Sequence, residues 1–323
     1  MTTAKRQPRL KFGIQTAQQL VTYEQLKEVW QAADELGFYS AWCHDHFLPA
    51  GVKEPVGPCM EGWTMLSALL PQMKRLRGGL FVAGNTYRHP SVMAKAATTL
   101  DNITGGRVEL GIGAGWFEAE HTAYGIPFYT TPERIHRLDE AVQVIKALWT
   151  LAPGAGANFQ GKYYQLKDAP MDPPPVQRPH PPIMIGGGGE KLTLRVVAKW
   201  ADRWNIFVTT RSTVQRKLGI LREHCAAVGR NFNSIELTVG LPLMVTGDRA
   251  RIDRTAEGIA QRQKTSLEDA RTSLFAGTPD ELIAQGQAWY DLGIREIIIP
   301  FNRVPYNLKE LQTLAKEVMP AFA

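Results

Sequence analysis

Apolar positions along the 323-residue chain fall into short runs that alternate with stretches of helical spacing. Leu10 to Thr16 reads as a strand ending in polar residues. Thr22 and Gln25 then fit a capping box, with Leu26, Val29, Trp30, Ala33 and Leu36 on one helix face and Gly37 as the stop. FYSAWCHD predicts a second strand that ends in His44-Asp45-His46. A helix from Gly62 to Leu70 follows, then LRGGLFVAG as a third strand, and Pro90 opens a helix through Leu100. RVELGIGAG is the fourth strand, buried in character and tipped with glycine. The pattern is interrupted between Trp116 and Thr131. Thr131-Pro132-Glu133 then begins a helix with proline in its first turn and Leu138, Val142, Ile145 and Leu148 facing inward.

The second half repeats the alternation. Residues 152–182 form a Gly- and Pro-rich excursion with a small hairpin around GKYYQL. PPIMI, RWNIF, IELTVGLPLMV and REIIIPF supply strands five to eight, and helices follow each of them. Arg249 to Leu274 is polar and helical, Thr278 and Glu281 cap the next helix, and Leu308 to Met319 closes the chain. Such alternation predicts an α/β protein with a parallel sheet. About eight units in this length fit a (β/α)8 TIM barrel, a single domain over residues 1–323 with insertions in the βα loops.

Composition narrows the class without naming a chemistry. With 44% hydrophobic and 21% charged residues the chain is an ordinary globular protein. Its three cysteines, Cys43, Cys59 and Cys225, have neither zinc spacing nor a disulfide pattern, which suits a reducing cytoplasm. The basic start lacks an apolar stretch behind it, so no signal peptide is expected, and no run approaches a membrane span. The net charge of +6 comes from scattered residues, so no nucleic-acid partner is expected.

In a barrel of this kind the chemistry gathers at the C-terminal ends of the strands. Strand two ends in Asp45 and His46, an acid and an imidazole where a proton-transfer pair would sit. His44 and His46 also share a side by strand alternation, which raises a metal site. The tips of strands five, six and eight offer Gly186, Phe207 and Phe301 instead of further ligands, so no metal is expected. Strand four ends in Gly113, Ala114 and Gly115, where missing side chains allow close approach of a flat ligand. The third glycine arrives too early for a dinucleotide fingerprint. Strand five ends in Gly186, Gly187, Gly188 and Gly189 before a helix, an arrangement suited to a phosphate. A planar body, a phosphate and a proton-transfer group together point to a flavin-type cofactor. Trp63, Trp116, Phe117 and Tyr124 read as packing residues unless they lie at the mouth.

Four segments, AADELGFYSAWCHDHF, the stretch from TYRHPSVM to YGIPF, HPPIMIGGGGEKLTLRVVAKWADRWN and AGTPDELI, resemble the bacterial luciferase-like flavin and deazaflavin oxidoreductases over nearly the whole chain. Asp45-His46-Phe47 is most similar to the branch that uses the deazaflavin coenzyme F420 instead of FMN. The resemblance implies hydride transfer between F420 and a small organic substrate, with His46 as acid/base and Asp45 beside it, and commonly a homodimer. The alternative is an FMN-dependent monooxygenase using O2. It also implies that Phe81, Val82 and Ala83 lie behind the ring, with a non-proline cis peptide at Phe81-Val82. Gly113 to Gly115 would run along the cofactor and Gly186 to Gly189 around its phosphate. The family's arginine after strand four is Arg134 or Arg137. The sugar-phosphate dehydrogenases of this branch carry a glutamate directly after the glycine element. Trp116 stands there instead, with Glu118 and Glu120 nearby as acids, and the substrate stays open.

Overall fold

The computed structural model describes residues 9–52, 54–302 and 306–323; the N-terminal residues read above for a leader lie outside them. Eight strands form the barrel: β1 (Lys11–Thr16), β2 (Ser40–Cys43), β3 (Arg77–Leu80, resumed at Ala83–Gly84), β4 (Leu110–Gly113), β5 (Ile183–Gly186), β6 (Arg203–Phe207), β7 (Glu236–Gly240) and β8 (Ile294–Pro300). All their pairings are parallel, in the order β3-β2-β1-β8-β7-β6-β5-β4. The ring closes where Gly78 bridges to Val108 and Ala83 and Gly84 pair with Ile112 and Gly113. The expected (β/α)8 barrel is therefore the fold.

Around it lie α1 (Tyr23–Leu36), α2 (Gly62–Leu69), α3 (Pro90–Thr104), α4 (Glu118–Ala123), α5 (Thr131–Trp149), α6 (Thr193–Trp200), α7 (Arg211–Ala227), α8 (Arg249–Gln263), α9 (Leu267–Arg271), α10 (Pro279–Asp291) and α11 (Leu308–Thr313). Both capping boxes form, at Thr22 with Gln25 and at Thr278 with Glu281. Gly37 stops α1 in the left-handed region at φ 85°, where a side chain would be strained. Leu26, Trp30, Leu138, Val142 and Ile145, all on predicted inner faces, are fully buried. Each such side chain contributes about 1.5–3 kcal/mol.

Three elements differ from the sequence reading. The third strand is broken at Phe81-Val82, where the peptide bond is cis as the family resemblance implied. The seventh run stops at Gly240. Pro242 has no N–H to continue a ladder, and Leu243–Val245 pairs instead with Phe275–Gly277 in a separate two-stranded sheet. The interruption after strand four contains α4, which brings Glu120 and His121 into the interior. The hairpin forms as expected, Gly156–Gln160 against Gln165–Pro170.

The N-terminal end of the barrel is sealed by charge. Arg203 is the hub, with its guanidinium on Glu109 and Glu296 and 2.6 Å from Glu236. Arg77 reaches Glu109 at 2.7 Å and Lys11 reaches Glu236 at 2.6 Å. Ser40 donates to Glu296, and the Trp42 indole donates to Ser40 Oγ at 2.7 Å. Gly13 is required here, since a Cβ would lie 2.2 Å from Ser40 Oγ. Above this floor Trp42, Met184 and Ile298 form an apolar layer, with Phe81 and Val82 packed on it from the mouth side.

Candidate active site

Strand alternation carries Ser40 and Trp42 inward, and His44 and His46 follow on the same side. Their rings meet edge to face with centroids 5.0 Å apart. His44 is clamped through its backbone by Gln18, which accepts from the His44 N–H at 3.2 Å and donates to its carbonyl. The ring is buried, and its Nε2 has no hydrogen-bond partner. Burial, reinforced by the neighbouring His46, lowers its pKa to about 3, so His44 is a neutral imidazole at any working pH.

His46 is held differently. Its Nδ1 lies 2.7 Å from Glu120 Oε1, so it donates to that carboxylate. Glu120 is fully buried. It also accepts the Tyr87 hydroxyl on Oε1, and the Phe47 amide at 2.8 Å and the Leu48 amide at 3.4 Å on Oε2. Burial would raise Glu120, but the hydrogen bonds from His46, Tyr87 and Phe47 hold it below the usual carboxylate range. Burial and the same carboxylate push the Tyr87 phenol up, so Tyr87 stays a donor. Nε2 of His46 has no hydrogen-bond partner among the described residues. The sequence marked Glu120 only as one of two nearby acids. The other, Glu118, is exposed.

Asp45 alternates to the opposite side. Its carboxylate takes a two-pronged contact from Arg88, at 2.7 and 3.0 Å, and accepts the Gly84 amide at 2.9 Å. Arg88 also reaches Glu61. Burial pushes the Asp45 carboxyl up against the pull of Arg88. Asp45 thus ties β2 to the second half of β3.

Two of the glycines at the strand tips, Gly113 and Gly186, make room for the same side chain. A Cβ on Gly113 would lie 2.7 Å from Val82, and one on Gly186 would lie 3.0 Å from it. Val82 and Phe81 thereby form an apolar platform across the mouth. Gly115 at φ 76° lies against Thr86, whose hydroxyl contacts His121 at 2.7 Å. Of the two arginines left open, Arg134 is the one that reaches this loop, donating to the Gly115 carbonyl at 3.3 Å, whereas Arg137 pairs with Glu133. Trp116 is 61% exposed and Phe207 46% exposed. Trp116 stands edge-on to His46 at 5.5 Å and Phe207 to Phe81 at 5.7 Å. Trp116, beside His46, therefore departs from the packing reading, whereas Trp63 is buried and Tyr124, though exposed, packs its ring against Phe47 at 5.1 Å.

At the other side of the mouth the Gly186–Gly189 loop leads to α6, which starts without a side-chain cap. The amides of Gly188 and Gly189 donate to no backbone carbonyl among the described residues. Lys217 donates to the Gly188 carbonyl at 2.5 Å and pairs with Glu190 at 2.9 Å, and Arg216 also meets Glu190. A Cβ on Gly188 would press on Ile206 at 3.2 Å. Uncapped amides, a helix start and two cations form a cradle that fits a phosphate, and the Phe81-Val82 platform fits a planar ring. Among the described residues no group of side chains suits a metal ion, and no helix is long and apolar enough to cross a membrane.

Residues 9–296 match the model of the luciferase-like monooxygenase family. The chain belongs to that family. It is 27% identical over 317 residues to an F420-dependent glucose-6-phosphate dehydrogenase of Amycolatopsis mediterranei, covering 90% of this chain and 92% of the relative. The fold matches that of an F420-dependent secondary alcohol dehydrogenase solved with an F420-acetone adduct, with a TM-score of 0.82 at 18% identity over 97% and 99% of the two chains. It also matches an EDTA monooxygenase from Chelativorans sp. BNC1, with a TM-score of 0.77 at 15% identity over 97% and 93%. This member of the family is thus an oxidoreductase, as the resemblance implied.

Proposed function

We propose that this luciferase-like oxidoreductase transfers hydride between coenzyme F420 and a small organic substrate, with His46 as the acid/base. The observation that carries the reading is the His46 imidazole just past the end of β2, held by buried Glu120. Val82, Phe81 and Ala83 would support the ring, Gly113, Ala114 and Gly115 its edge, and Gly186 to Gly189 its phosphate. Asp45 contributes by holding the Gly84 amide and Arg88 in place. When bound, the deazaflavin supplies or takes up the hydride at its C5. His46 exchanges the matching proton through Nε2, because Nδ1 is engaged by Glu120. Trp116 and Phe207 give the mouth an apolar, aromatic rim, which favours a substrate with an apolar face. The protein would work as a cytoplasmic single-domain barrel, paired as a homodimer.

The likeness to the EDTA monooxygenase supports a second reading, an FMN-dependent monooxygenase using O2. Separate titrations of the purified protein with F420 and FMN, followed by cofactor fluorescence, distinguish the two. We expect F420 to bind and His46→Ala to keep that binding while losing most turnover. Tight FMN binding with no F420 binding would replace the first reading with the second. Full turnover in His46→Ala would remove His46 from the chemistry.

A further inference from the structure

We propose that Glu120 is the positioning residue of His46: it fixes the ring as the Nδ1–H tautomer and leaves Nε2 as the only nitrogen able to take a proton. The use of this tautomer in hydride transfer rests on the reading above; the tautomer itself does not.

The argument is one of donors and acceptors. Glu120 offers two oxygens, and each has two partners. On Oε2 both partners are backbone amides, Phe47 at 2.8 Å and Leu48 at 3.4 Å, which can only donate. On Oε1 they are the Tyr87 hydroxyl and His46 Nδ1. A carboxylate accepts every one of these bonds and donates none. His46 must therefore present N–H at Nδ1, and in the neutral ring Nε2 is then bare. The ring is also confined by its neighbours. Trp116 and Phe117 meet it edge-on at 5.5 and 5.7 Å, and His44 lies at 5.0 Å. His44 is neutral, so it places no charge beside Nε2. Glu120 does not act as the proton donor itself, since four hydrogen-bond donors stabilise its ionised form.

The same geometry dictates what Glu120→Gln does. The two amides require the glutamine oxygen on their side, as they cannot accept from its NH2. The NH2 is then forced against His46 Nδ1 and Tyr87. The Tyr87 oxygen can accept, and Nδ1 must accept too, so the proton moves to Nε2. The substitution is nearly isosteric and keeps the ring where it is, yet reverses its tautomer. In a catalytic triad the same reversal costs roughly 10⁴-fold.

The test is imidazole ¹⁵N NMR on the full chain without cofactor, at a pH where the ring is neutral. The wild type should show His46 protonated at Nδ1, and Glu120→Gln should show it protonated at Nε2. Diethyl pyrocarbonate, which attacks a bare imidazole nitrogen, gives a second readout by peptide mass mapping. His46 should react at least tenfold more slowly in Glu120→Gln than in the wild type. Tyr87→Phe, which keeps the carboxylate and removes one donor, should retain the wild-type tautomer. A wild type already protonated at Nε2, or a Glu120→Gln variant that keeps Nδ1–H, overturns the proposal. Failure of F420 to bind would sink the cofactor reading and leave these signals unchanged.

Discussion

Arg203→Met is the substitution whose cost can be worked most fully from the structure. Arg203 meets three carboxylates, but its loss orphans only one. Glu109 keeps Arg77 at 2.7 Å and Glu236 keeps Lys11 at 2.6 Å. Glu296 is left with the Ser40 hydroxyl and, among the described residues, no cation in contact. A single buried charge stripped of its partner costs about 3–5 kcal/mol. At about 2 °C per kcal/mol for a chain of this size, the melting temperature should fall by about 6–10 °C. The double variant Arg203→Met/Glu296→Gln removes the orphaned charge and should recover at least half of the loss. The sign of the pH dependence follows. Burial already pushes Glu296 up, with the Glu109 charge adding to it and Arg203 opposing. Without Arg203 the folded-state pKa rises further above the unfolded value of about 4.3. Stability tied to a raised carboxyl is present in acid and lost as pH rises through the folded pKa. The gap between variant and wild type should therefore be wider at pH 8 than at pH 5. Scanning calorimetry or guanidinium melts at the two pH values measure it. A single variant within about 1 kcal/mol of wild type, or a double variant no more stable than the single, would refute the hub assignment.

Two further substitutions or titrations probe the mouth. Gly113→Ala places a Cβ 2.7 Å from Val82 and should displace the platform, weakening F420 binding at least tenfold, about 1.4 kcal/mol, in a fluorescence titration; unchanged affinity would mean that Val82 does not support the ring. His44, lowered to about 3 by burial, should show no titration between pH 5 and 8 by NMR, and a protonation step in that window would show the ring to be solvated.

The eight strands are legible because each is a short apolar run closed by glycine or polar residues, and because the runs recur between helical spacings. That logic failed where backbone chemistry intervened: Pro242 ends a run that hydrophobicity alone would continue. It also failed where an element is short. The helix of α4 spans only Glu118–Ala123, too little for a periodic signal. Asp45 and His46 were found at the strand end, but their different duties were not. Those duties depend on Arg88, 43 residues from Asp45, and on Glu120, 74 residues from His46, and only the closed barrel brings these together. The glycines at the tips of β4 and β5 were read as space for a ligand. Beside Gly113 and Gly186 that space is taken by Val82, so there the ligand would meet a side chain where a bare backbone was expected. Arg134 and Arg137 are equivalent on paper; only the turn after β4 decides which of them reaches Gly115.

The charged floor has a bearing on how this protein can change. Lys11, Arg77, Arg203, Glu109 and Glu236 lie at or just before the starts of barrel strands and Glu296 lies two residues inside one, with the layer of Trp42, Met184 and Ile298 between them and the mouth. Rigidity is thus anchored at one pole and substrate contact at the other. Exposed side chains at the mouth, such as Trp116 and Phe207, can be exchanged without disturbing the ions that brace the strands. A scaffold so divided tolerates diversification of what it accepts, and directed evolution of new substrates is best aimed at the rim, with the floor left intact as the reserve that absorbs destabilising changes.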